Sequence, residues 1–230
     1  MRVQSSAFAA LAAVAVSSIA SAASINLSFA NITNNGNQNI GSQLKLTVSD
    51  VVGQPTKVDF TLKNSVGIAS SIKEVYFDAG SIGTNFVSGL IQSQSGASFV
   101  FGSGSPGELP GGHNLTPAFE TSMNLLADSG NGGPSTGLDQ AADSLVIRVT
   151  LAAGKSYNDI VNGLLANPAQ ANSIRLGLHV ISIGTAGGSD SYVSNALTVP
   201  LPPAAWAGMS CLVAVIGAGV VRNRMLVRRA

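Results

Sequence analysis

Few side chains in this chain are of a type and spacing that could do chemistry. It has two histidines, His113 and His179. A Ser/His/Asp relay would need one of them beside a serine, and serines and aspartates abound. No strand-turn-helix nucleophile elbow is read to place one, however, so both histidines are expected to face solvent. Two histidines and a single cysteine, Cys211, give no zinc-ligand spacing. Gly102-Ser-Gly104-Ser-Pro-Gly107 fits G-x-G-x-x-G formally. A dinucleotide turn must open a helix whose first amides meet the pyrophosphate, and Pro106 with the following Glu-Leu-Pro-Gly-Gly opposes one. Gly154-Lys155-Ser156 has the end of a phosphate loop, but Val149 stands where the upstream glycine is required. Between Asp128 and Asp139 an acidic, glycine-bearing loop offers Asp128, Asn131 and Asp139 as oxygen donors for a structural calcium. Gly130 and Gly132 break the EF-hand pattern there. No other cofactor is expected.

Strands must position whatever function the chain has. Leu44, Leu46 and Val48 alternate with polar residues, as do Val58, Phe60 and Leu62, and Leu145, Ile147, Val149 and Leu151 alternate with Val146, Arg148 and Thr150. In Ile174, Leu176, Leu178 and Val180 the same period puts Arg175 and His179 on the wet face. Each pattern predicts one buried and one solvated face, the habit of antiparallel sheets. Ile25–Phe29, Lys73–Asp78, Ser98–Phe101 and Ser191–Thr198 read as further strands, with turn-rich Asn34–Asn39 and Ser129–Gly137 between strands. Tyr76-Phe77-Asp78 reads as a half-buried strand rather than a platform for sugars. One helix is predicted: Ser156 caps it, Asp159 sits in its first turn, and Ile160, Val161, Leu164 and Leu165 form its apolar stripe. Asn167-Pro168 stops it. The fold class expected is all-β, an antiparallel β-sandwich of jelly-roll type with one short helix covering an end.

Both ends of the chain differ from this body. Mean hydropathy is +0.33 over 230 residues, raised by an apolar segment at each end. Met1-Arg2 precedes an apolar run from Ala7 to Ala22, closing on Ala20-Ser21-Ala22, a small-x-small site for signal peptidase. A signal peptide over 1–22 is therefore expected, with cleavage after Ala22. Residues 23–198 would form one extracytoplasmic domain. That stretch holds seven basic side chains against eleven acidic ones, a net charge near −4, which offers no track for a phosphate backbone. Nucleic acid is excluded as a partner on that ground. The body also lacks tryptophan, since Trp206 lies beyond it, and this weighs against binding sugars by ring stacking.

From Val199 the chain reads Val-Pro200-Leu201-Pro202-Pro203 and is then uncharged from Ala204 to Val221. Those eighteen residues would make a helix of about 27 Å, close to the bilayer core, with Trp206 at the interface. Arg222, Arg224, Arg228 and Arg229 follow and would lie in the cytoplasm by the positive-inside rule. The proline motif, short span and arginine cluster together resemble the PEP-CTERM sorting signal, and Val199–Pro203 is similar to its VPLPA variant. Leu201 replaces the glutamate of the commonest form, and Pro203 replaces the variant's alanine. Tyr76-Phe77-Asp78 with Ser105–Asn114 also resembles bodies that precede such tails.

The resemblance implies an exosortase-type membrane protease or transferase as partner alongside signal peptidase. It also implies transient anchoring in the inner membrane, processing near 199–203, and residence at the cell surface or in an exopolysaccharide-rich biofilm matrix. The function expected is that of an exported, non-enzymatic envelope or matrix protein. The alternatives are a polysaccharide- or calcium-binding surface module and, less favoured, a secreted hydrolase.

Overall fold

A computed structural model of the protein describes residues 22–36, 38–80, 84–102, 107–127 and 134–195. Within them the chain forms ten strands and one α-helix, all strand pairs being antiparallel. The strands are β1 (Ser24–Asn31), β2 (Leu44–Asp50), β3 (Lys57–Asn64), β4 (Ser71–Asp78) and β5 (Phe86–Ser95). They continue with β6 (Phe99–Phe101), β7 (Met123–Ala127), β8 (Ser144–Leu151), β9 (Arg175–Ile183) and β10 (Gly188–Asn195). The helix α1 spans Tyr157–Leu165. Their order in the sheet is β5-β8-β3-β2-β1-β10-β9-β4-β7-β6.

The expected strands are present. β10 covers Ser191–Asn195 of the segment expected to run to Thr198, and the remainder lies outside the described residues. Two strands, β5 and β7, carry no clean alternation. β5 is irregular at Phe86/Ser88 and again at Ile91/Ser93, so its period is broken twice. Its second half, Gln92-Ser-Gln-Ser95, is polar.

β1 makes the sheet curl. Ser24–Leu27 pair with β2 and Ser28–Asn31 pair with β10, so one strand joins two halves. The inner faces meet: Phe60 of β3 and Phe77 of β4, far apart in strand order, lie 5.3 Å apart at 80°. Phe86 of β5 completes an edge-to-face trio at 6.0 and 6.1 Å. Around them Leu44, Leu62, Ile147, Leu178 and Tyr192 belong to one continuous core. The curl also brings the terminal strands β5 and β6 together. A side chain at Gly89 would start 3.0 Å from Met123 Sδ and 3.4 Å from Phe101. The Gln94 side chain accepts from Phe99 N at 2.7 Å, occupying part of a strand edge that would otherwise be open.

The predicted helix forms with its predicted cap. Ser156 Oγ accepts from Asp159 N, and Asp159 Oδ2 accepts from Ser156 N at 2.8 Å, the reciprocal capping box. That bonding also holds the Asp159 carboxyl below its ordinary value. Ile160 and Leu164 enter the core, whereas Leu165 of the expected stripe is exposed.

One outer face departs from expectation. β9 is buried without interruption from Arg175 to Val180 except at His179, because the loop 107–121 lies across it. Leu109 and Phe119 from that loop join Tyr76 and Val193 in a second apolar cluster. Gly177 makes the seat: a Cβ there would lie 2.6 Å from Leu109 Cδ2 and 3.1 Å from Phe119. Arg175, expected in solvent, is buried, and its guanidinium pins the loop. Nε donates to Asp78 Oδ2 at 2.9 Å, Nη2 to the same oxygen, and Nη1 to Pro117 O at 3.0 Å. Nη2 also donates to Ala118 O at 2.5 Å, and the guanidinium stands 5.2 Å over the Phe119 ring. Tyr76, expected half-buried, is buried for the same reason, while Phe77 is buried on the inner face against Phe60.

Candidate functional site

The sequence-predicted sites fall largely outside the described residues. Ala20, Val199, Pro200, Leu201, Pro202, Pro203, Arg222, Arg224, Arg228 and Arg229 lie there, as do Asp128 and Asn131. Ala22 is described and exposed just ahead of β1. Among the described residues no helix is long and apolar enough to cross a membrane, and the run 204–221 is not among them. Asp139 is described. Its amide donates to Asp143 Oδ2 at 3.0 Å, as does that of Gln140 at 2.8 Å. Burial and the charge of Asp143 push the Asp139 carboxyl up. Among the described residues no three or more His, Cys, Asp or Glu side chains are grouped to hold a metal ion.

The two histidines part company. His113 is exposed, 2.7 Å from Glu108, whose hydrogen bond raises the imidazole's affinity for a proton. His179 is mostly covered, its side chain 23 % exposed, so solvent-facing is the wrong description for it. Strand register places Ser191, His179 and Glu74 in one row across β10, β9 and β4. Nδ1 of His179 lies 2.9 Å from Glu74 Oε2, and Tyr76 Oη donates to the same oxygen at 2.5 Å. The His179 bond holds the Glu74 carboxyl below its ordinary value, and burial with Glu74 beside it raises Tyr76. The order hydroxyl, imidazole, carboxylate is that of a nucleophile relay. The geometry stops short of one: Ser191 Oγ is closed to solvent and has no hydrogen-bond partner among the described residues. No reacting carbonyl reaches that oxygen. What the His179–Glu74 bond does is tie β9 to β4 on a partly covered face.

A buried carboxylate performs a similar task at the loop after β1. Asp190 is 1 % exposed and has no cationic partner among the described residues. Oδ1 accepts from Thr33 Oγ1 at 2.8 Å and Asn35 N at 2.7 Å, and Oδ2 from Gly36 N at 3.0 Å. Three donors satisfy the carboxylate and hold Thr33, Asn35 and Gly36 to β10. Sequence reading missed Asp190, since alternation says where it points but not what meets it.

The opposite outer face, over β1, β2, β3 and β8, is uncovered and polar. Its side chains run in cross-strand rows: Asn26, Thr47, Thr61 in one and Lys45, Lys63 in the next. Thr47 Oγ1 donates to Asn26 Oδ1 at 2.7 Å. Asp59 and Arg148 form a two-pronged pair, both contacts 2.7 Å, and neutralise each other. Lys45, Lys57 and Lys63 remain, none of them in an ion pair among the described residues. A shallow groove of about 350 Å³ runs between Asn26, Lys45, Thr47, Thr61 and Lys63. This face can bind by charge and hydrogen bonds, not by stacking. Comparison with protein-family models, curated proteins and solved structures finds no match.

Proposed function

We propose that this is an exported, non-enzymatic protein of the cell envelope or extracellular matrix. Its body is read as a two-layer antiparallel β-sandwich of jelly-roll type, delivered by a signal peptide cut after Ala22. A PEP-CTERM-like tail of residues 199–230 is then handled by an exosortase-type enzyme at Val199–Pro203. The observation that carries the reading is the order of the tail: a proline motif, eighteen uncharged residues, then Arg222, Arg224, Arg228 and Arg229. Prolines hold a segment extended and poor in hydrogen bonds, a form a protease can take up beside the membrane. The β-rich body supports it, since β10, described as far as Asn195, carries the body to within four positions of Val199. The closed hydroxyl of Ser191 supports a binding or structural role over hydrolysis. Intact-mass measurement on protein taken from the native envelope tests the reading. The expected mass begins at Ala23 and ends near residue 199–203. A species retaining Arg222–Arg229 as its only form would sink the processing step. Turnover of ester or glycoside substrates by the purified protein would sink the non-enzymatic assignment.

A further inference from the structure

The charge of the body is segregated. Although acidic residues outnumber basic ones, the outer face of β2, β3 and β8 carries Lys45, Lys57, Lys63 and Arg148 against Asp59 alone. Of the body's other basic side chains, Arg175 and Lys73 are buried and Lys155 precedes α1. The face is therefore near +3 within a body near −4. Lys45 and Lys63 are also direct cross-strand partners. Like charges so placed oppose each other and weaken the sheet. The Lys45 ammonium donates to Ser42 O at 2.5 Å, and an anion bound beside both lysines would offset the opposition of their charges.

From this we infer that the face binds a carboxylate-bearing, uronate-type polysaccharide, with Lys45 and Lys63 clamping one acid group. Beside that clamp the Asn26–Thr47–Thr61 row offers hydroxyl and amide groups to sugar hydroxyls. Lys57 and Lys63 are six residues apart on β3, about 20 Å at roughly 3.3 Å per residue, so the face spans several sugars of an extended chain. Three lysines outside any ion pair among the described residues are too sparse for a nucleic acid backbone with a charge about every 1.7 Å. No aromatic side chain lies in the groove to stack bases. A lipid surface is disfavoured because the groove offers no large apolar side chain at its rim beyond Leu27 and Leu46, which are buried. The inference rests on the envelope or matrix reading above for where such a polymer would be met.

The test is titration calorimetry of the full-length chain in neutral detergent with polygalacturonate as the probe. Dextran and duplex DNA of matched charge concentration are the comparisons. Polygalacturonate is expected to bind, dextran not measurably, and DNA more weakly than the uronate polymer. Salt at 1 M, where screening acts within about 3 Å, is expected to abolish the signal. The K45Q/K63Q variant is expected to bind about fivefold or more weakly, as loss of two surface charge contacts implies. It should melt at the wild-type temperature or above, its like-charge pair being gone. K63E, at an exposed position, gives the same answer should the double variant not fold. Absence of polygalacturonate binding, equal binding by dextran, tighter binding by DNA, or indifference to all lysine changes overturns the inference. None of these outcomes alters the mass of the processed chain, so the two readings fail separately.

Discussion

Arg175 is the position where a single change reports most about the architecture. Replacing it with methionine keeps an unbranched apolar stem and removes only the guanidinium. Its side chain is 9 % exposed and that of Asp78 is 13 %, so the pair is desolvated. Removing one partner of such a pair leaves the other charge buried, at a cost of about 3–5 kcal/mol. Pro117 O and Ala118 O lose their donors too, but the loop can turn them to water by peeling off the Gly177 seat. The cost is therefore kept at about 3–5 kcal/mol, a fall in melting temperature of about 6–20 °C for a domain of this size. Urea denaturation followed by circular dichroism measures it. Hydrogen exchange should show residues 107–121 losing protection while β2, β3 and β8 keep theirs. R175M combined with D78L should cost less than the two singles summed, by about 0.5–3 kcal/mol, because no orphan charge remains. R175M within about 0.5 kcal/mol of wild type would refute the reasoning, since that is the behaviour of a surface residue.

Three further outcomes are expected. F60A removes the ring at the centre of the Phe60–Phe77–Phe86 trio and should destabilise by about 3–5 kcal/mol in the same urea assay. Glu74 titrates below its ordinary value of 4.5 when folded, chiefly through its bond with His179. Its contribution is thus present above that pH and lost as pH falls through the lowered value, so E74Q should flatten stability between neutral and acid pH. A wild-type slope retained in E74Q would remove Glu74 as the cause. S156A deletes half of the capping box on α1 and should cost about 1 kcal/mol, read as a small shift in midpoint.

Much of this architecture is written in short-range pattern. Period-two alternation marks β2, β3 and β8 because each has one face on the core and one in water, so every second residue must be apolar. The helix is marked by Ser156 and Asp159, whose capping box needs nothing beyond four consecutive residues. The proline, apolar and arginine order of the tail is legible for the same reason: its chemistry is contiguous. Alternation fails at β5, where two irregularities reset the period, and at Arg175, where it names a face but not what covers that face. Only folding brings loop 107–121 onto Gly177, turns a wet face dry and makes a charged residue internal. Only strand register sets Lys45 against Lys63, eighteen positions apart in the chain, and aligns Ser191, His179 and Glu74 across three strands. The sequence by itself determined the strands other than β5 and β7 and the capped helix, and it carries an apolar run near each end. Which face is covered, which charges are left unpaired and which hydroxyl is shut away were decided by tertiary structure, because each depends on residues that meet only when the sheet curls.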